Sequence, residues 1–141
     1  MTIPLAESTP GQRIAEFTSS IITPQILQAY AEASGDSNPL HLEKSFAQQA
    51  GFDDVIVHGM LGMALLGRLL TTHFAPQDIR SFSARFVSTI PVGKQIHCYA
   101  EVAEQNPKGL LLNLYAQPLG SEKTAIRGQA RIAALAPQKE Y

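Results

Sequence analysis

The chain has 141 residues, 45% of them hydrophobic, enough to bury one core with little left for a second, so one domain is expected. Lys and Arg number 11 against 12 Asp and Glu, a net charge of −1 that leaves no cationic excess to neutralise a phosphate backbone. Nucleic acid is therefore not an expected partner. The first eleven residues carry Glu7 and Pro10 and lack a basic stretch followed by an apolar run, so they do not read as a secretory signal, and a cytoplasmic protein is expected.

Residues 12–20 read as a short strand running into a turn. Thr23 then precedes Pro24 in the cap-and-proline order of a helix start, and Ile26, Leu27, Tyr30, Ala31 and Ala33 recur at helical spacing until Gly35. The segment Gly35-Asp36-Ser37-Asn38-Pro39 is dense in turn formers and is expected to be irregular, with a short helix over residues 43–50 ended by Gly51. Residues 57–74 form a long helix, apolar on nearly all sides, with Asp53 and Asp54 ahead of its positive end and Pro76 beyond its last turn. Arg68, His73 and three glycines interrupt that stretch, whereas a membrane span wants about 20 mainly apolar residues. No membrane is expected, and the helix should be surrounded by protein.

After Pro76 the period changes to two. Phe82, Ala84, Phe86, Ser88 and Ile90 share one face of a strand that should end at Pro91-Val92-Gly93. Ile96, Cys98, Ala100 and Val102 mark a second strand, closed by the turn at residues 106–109, with Cys98 read as a small buried hydrophobe. Residues 110–117 make a third and 124–133 a fourth, and residues 137–141 read as a loose tail. One apolar helix followed by a meander of strands implies an α+β fold, an antiparallel sheet curled around a central helix. Gly59, Gly62 and Gly67 would each cost that helix about 1 kcal/mol against Ala, which close approach of the sheet would offset.

Asp36 and His41 lie five residues apart in the turn-rich segment. A carboxylate and an imidazole so placed can converge on one water, one accepting a proton and the other donating one. Asn38 between them can orient either, and the helix beginning near Gly59 offers unpaired N–H groups where negative charge develops on an oxygen. Taken alone, the pattern equally describes an ordinary Asx-Pro turn and a structural histidine.

The longer run Ala33-Ser34-Gly35-Asp36-Ser37-Asn38-Pro39-Leu40-His41, followed by Gly51-Phe52 and Ile56-Val57-His58-Gly59-Met60-Leu61, resembles the hydratase motif of the MaoC-like dehydratase and (R)-specific enoyl-CoA hydratase family. The resemblance extends to the length of the chain and its order of helices and strands. It implies a hot-dog fold in which the motif overhangs the central helix. It also implies Asp36 and His41 as the catalytic pair, Asn38 as a third polar member and the Gly59 N–H as oxyanion donor, with Ser37, Pro39, His58 and Met60 beside the substrate. The implied reaction is reversible addition of water to a trans-2-enoyl thioester, giving the (3R)-3-hydroxyacyl thioester, with no cofactor. Glu43, Lys44 and Val55 depart from residues common in the family (Asp, Pro and Pro), but no chemical group is lost.

No metal is expected, since the four histidines lack a Cys or acidic cluster at ligand spacing. Acyl-CoA and acyl-carrier-protein thioesters share one reactive end and stay open as substrates. Arg68, Arg80, Arg85 and Lys94 are possible phosphate partners. A homodimer is expected by resemblance, and exposed sheet edges give a physical reason for one. The rival readings are a thioesterase or a 3-hydroxyacyl-carrier-protein dehydratase, enzymes that commonly carry a carboxylate on the central helix, and a non-catalytic acyl-binding subunit.

Overall fold

The computed structural model describes residues 8–134. The readings made for the outermost residues at either end lie outside them. In chain order the elements are β1 (Arg13–Thr18), α1 (Pro24–Ser34), α2 (Lys44–Gln49), α3 (Gly59–His73), β2 (Ile79–Phe86), β3 (Ile96–Asn106), β4 (Gly109–Pro118) and β5 (Ile126–Ala133). The strands form one antiparallel sheet in the order β1-β3-β4-β5-β2, which leaves β1 and β2 at its edges. α3 packs on β1, β2, β3 and β4.

Local chemistry explains the first helix. The Thr23 hydroxyl accepts the Ile26 N–H at 3.2 Å, Pro24 needs no partner for a missing N–H, and Gly35 ends the helix at φ 80° while donating to the Ala31 carbonyl. In the sheet, alternation decides which side faces α3. Ile96, Cys98, Ala100 and Val102 of β3, Leu112 and Leu114 of β4, and Ile126, Ala130 and Ile132 of β5 are buried with Leu66, Leu69 and Leu70 of α3. Each such leucine contributes about 1.5–3 kcal/mol relative to exposure. Burial pushes the Cys98 thiol up to about 12, so it packs as a hydrophobe.

Three expectations need correction. First, α3 is not enclosed on all sides by this chain: Gly62, Leu66, Leu69 and Leu70 are buried, whereas Met60, Ala64, Arg68 and Thr71 form an exposed stripe. One sheet covers one face of a helix, and nothing in the described chain covers the other. Second, β2 stops at Phe86, not at Pro91, because its partner β5 begins at Ile126. Residues beyond leave the ladder, with the Val87 and Ser88 N–H groups sharing the Ala125 carbonyl and the Ile90 carbonyl accepting from Val57. Third, Asp53 and Asp54 do not flank the start of α3, which is capped at His58. Asp54 accepts the Val55 N–H and lies 3.7 Å from Lys44.

The glycine expectation holds where sheet and helix meet. A Cβ on Gly62 would run into the Ile126 side chain, and one on Gly59 would lie 3.1 Å from the Phe86 ring. Gly67 has ordinary clearance, 3.5 Å from Phe82. No helix among the described residues is long and apolar enough to cross a membrane.

Candidate active site

The segment between α1 and α3 is an overhang whose shape comes from side chains bonding the backbone. The Ser34 hydroxyl accepts the Asp36 N–H at 3.2 Å, Asp36 Oδ1 accepts the Asn38 N–H at 3.3 Å, and Asn38 Oδ1 accepts the Leu40 N–H at 3.0 Å. Short polar side chains that reach two residues onward make such turns rigid without regular structure. A single 3-10 turn, Pro39–His41, follows and aims His41 back at Asp36. With Oδ1 occupied, Asp36 presents Oδ2, which lies 3.9 Å from His41 Nε2. That gap is too long for a direct hydrogen bond and suits a small ligand bonded to both atoms.

Two carbonyls fix the histidine tautomers. His41 Nδ1 lies 2.8 Å from the Ile56 carbonyl, and His58 Nε2 lies 3.0 Å from the Asp36 carbonyl. A carbonyl oxygen only accepts, so each of these nitrogens carries the proton. With Nδ1 donating to the Ile56 carbonyl, His41 turns its Nε2 toward Asp36. His58 is 1% exposed, stacks on His41 with ring centroids 3.9 Å apart, and meets the Tyr30 ring edge-on at 4.7 Å. Burial, reinforced by the neighbouring His41, lowers the His58 pKa from its ordinary 6.5 and keeps the ring neutral. Its Nδ1 is buried without a partner among the described residues.

A cavity of about 290 Å³ opens beside this pair. His41, Ile56, His58 and Gly59 form one wall, and Phe86 with the residues that follow it forms the other. Gly59 is the first residue of α3, and its N–H has no partner among the described residues, as the geometry of a helix start dictates. Its lack of a side chain lets the Phe86 ring come close.

Nitrogen and oxygen atoms of Asp36, His41 and His58 lie within 4.8 Å of one another, a convergence that the spacing of these residues in the chain does not reveal. The set suits a metal poorly. Ring lone pairs lie in the ring planes, and two stacked planes inclined by 22° do not meet at the roughly 2.0–2.1 Å a metal–nitrogen bond requires.

The structure thus brings Asp36, His41 and His58 together, and His41, His58 and Gly59 share a cavity wall beside which Asp36 lies without lining it. The side-chain carbonyl of Asn38 is taken up by capping the turn that Pro39 opens; Ser37 is exposed, and Met60 is 55% exposed. None of these four lines the cavity. The residues that sequence reasoning missed include Phe86, Val87, Ser88, Thr89, Ile90 and Ile126. The alternation that turns Phe86 toward the helix was the available signal for the first of them.

Comparison with known proteins fits this arrangement. The MaoC-like domain family matches residues 6–111. The solved structure of the R-hydratase PhaJ1 from Pseudomonas aeruginosa is 31% identical, covers 99% of this chain and 96% of its own, and superposes with a TM-score of 0.77. The (R)-hydratase from A. caviae involved in PHA biosynthesis is 27% identical over 88% of this chain and 95% of its own, with a TM-score of 0.75. Among curated proteins, the mitochondrial 3-hydroxyacyl-[acyl-carrier-protein] dehydratase of Arabidopsis thaliana is 37% identical over 76 residues, 54% of this chain and 46% of that protein. The chain thus spans less than half the length of that relative. Its sheet and central helix are those of the hot-dog fold, and the chain belongs to the MaoC-like domain family.

Proposed function

We propose that the protein is a hydro-lyase, an (R)-specific enoyl-CoA hydratase that adds water reversibly to trans-2-enoyl-CoA. The observation that carries this reading is the 3.9 Å gap between Asp36 Oδ2 and His41 Nε2, a place for one water held by a carboxylate and an imidazole. As the water oxygen bonds to the β-carbon, the Asp36 carboxylate takes its proton. The α-carbon takes a proton from Nε2 of protonated His41, and the pair resets when the proton on Asp36 returns to His41. Charge displaced onto the thioester oxygen is met by the Gly59 N–H, a type of contact whose loss typically costs about 10²- to 10³-fold in rate.

The alternatives fit less well. A thioesterase or a classical 3-hydroxyacyl-carrier-protein dehydratase of the hot-dog type would be expected to use a carboxylate on the central helix, and α3 holds none. An acyl-binding subunit without turnover would have no use for Asp36 and His41 aimed at one point. We further infer a homodimer. It is supported by the free edge of β2 and by Met60, Phe86 and Val87, each at least 50% exposed. The test is crotonyl-CoA with the purified protein. Loss of enoyl absorbance without free thiol is expected, and thiol release without hydration would overturn the reading in favour of a thioesterase.

A further inference from the structure

Ser88 and Thr89 belong to two cavities at once. On one side lies the cavity of Gly59 and His41. On the other lies a second of about 470 Å³, whose walls include Lys94, Leu119, Ser121 and Lys123. A ligand that fills the first and continues past this two-residue sill enters the second.

Lys94 and Lys123 come from different parts of the chain, and the fold sets both in the wall of this second cavity. The Leu119 N–H donates to the Gln95 carbonyl at 2.8 Å, tying the turn after β4 to the start of β3. The Lys94 carbonyl accepts from Ile22, and the Lys123 N–H donates to the Ser121 hydroxyl at 3.1 Å. Neither lysine is paired with a carboxylate among the described residues, and no carboxylate lines the second cavity, Glu122 of the same turn included. Two unneutralised lysines and three hydroxyl residues, Ser88, Thr89 and Ser121, lining one cavity are the chemistry of a phosphate site.

We propose that this groove holds the phosphate of the phosphopantetheine arm that carries the acyl thioester. The inference rests on the thioester reading above and adds where the non-reacting end of the substrate is bound. With the thioester carbonyl at Gly59, the arm crosses the sill at Ser88 and Thr89 and sets its phosphate against Lys94 and Lys123. The other cationic hollow, of about 500 Å³ with Arg85 and Arg127 in its wall, is less suited. Arg85 and Phe86 point to opposite faces of the sheet, so a ligand at Gly59 would have to turn around the edge of β2 to reach it.

Calorimetric titration of the full chain with 4′-phosphopantetheine and with pantetheine tests the groove independently of turnover. Two exposed cation–phosphate contacts are together worth about tenfold in affinity. The wild type should prefer the phosphorylated arm by about that factor at low salt, less at high salt. Lys94→Gln/Lys123→Gln should abolish the preference while leaving pantetheine binding, and hydration of a crotonyl-pantetheine thioester, unchanged. Equal affinity of the wild type for both arms, no detectable binding of 4′-phosphopantetheine, or a preference that survives the double substitution would overturn the proposal. Parallel titrations with CoA and with a holo acyl carrier protein show which carrier supplies the phosphate: weakening of either in the double variant supports the groove, weakening of neither overturns it. A wild type that keeps the phosphate preference but hydrates no enoyl thioester would overturn the hydratase reading and leave the groove standing.

Discussion

Two walls enclose the cavity proposed to hold the substrate, and they are made in different ways. The overhang wall, residues 35–58, has little regular structure and is held by side chains of Ser34, Asp36, Asn38, His41 and His58 bonded to backbone groups. The opposite wall, the sheet wall, is the end of the β2–β5 ladder, where alternation places Phe86 and Ile126 toward the helix, together with residues 87–90, which follow the ladder. The first wall carries every titratable group of the site, and the second offers apolar surface and hydroxyls. A carboxylate and an imidazole that are to hold one water need fixed heavy atoms, and in an irregular segment only side-chain to backbone bonds and a buried ring can fix them. An acyl chain needs only shape, which a sheet supplies through its pleat.

Breaking the chemistry of the overhang should have the largest effect. Asp36→Asn and His41→Ala are each expected to lower kcat/KM for crotonyl-CoA hydration by about 10²- to 10⁴-fold with an unchanged circular dichroism spectrum. Because both act on one water, the double variant should lose little more than either single variant. An additive double loss would show that they act separately.

The seam where the two walls touch comes next. Gly59→Ala places a Cβ 3.1 Å from the Phe86 ring, and displacement of either group should cost hydration about 10²-fold, the scale of a lost oxyanion contact. Phe86→Leu in the same chain should restore part of the rate. Absence of any recovery would place the fault in the overhang alone.

Away from the chemistry the sheet wall should respond in stability. Gly62→Ala drives a methyl into Ile126, and overpacking of this kind costs about 1–3 kcal/mol, read from the midpoint of urea unfolding. Ile126→Val should recover much of it. The smallest effect is a pH dependence. The folded state holds His58 neutral, below its ordinary pKa of 6.5, so the unfolded chain takes up the proton first as pH falls. The stability it contributes is complete above 6.5 and declines as pH drops through that value toward the lower folded one. His58→Gln should flatten this decline in urea titrations run from neutral to mildly acidic pH, and an identical slope in both proteins would contradict the assignment.

The sheet wall was the more legible in the sequence, since the period of two from Phe82 onward and the Thr23-Pro24 and Gly35 signals are local. Even there the end of β2 was misplaced, because it is set by where β5 begins, forty residues further on: Phe86 pairs with Ile126. The exposed face of α3 was invisible for a related reason, since apolar residues on every side of a helix do not say which molecule covers them. In the overhang, Asp36, His41 and Gly59 could be named from their pattern. That His58 clamps the Asp36 carbonyl from 22 positions away could not. Nor could the diversion of Asn38 into capping, because an Asx side chain that orients a ligand and one that bonds its own backbone look alike in sequence.

The central claim is that one carboxylate and one imidazole act from a single side on a single water. Hydration of crotonyl-CoA in deuterated water, with the configuration of both new centres read by NMR, tests it most directly. With Asp36 Oδ2 and His41 Nε2 3.9 Å apart, hydroxyl and deuteron are expected on the same face, giving syn addition, and the proposed (R)-hydratase reading adds a (3R)-hydroxyl product. Anti addition, or a (3S) product, would contradict the account.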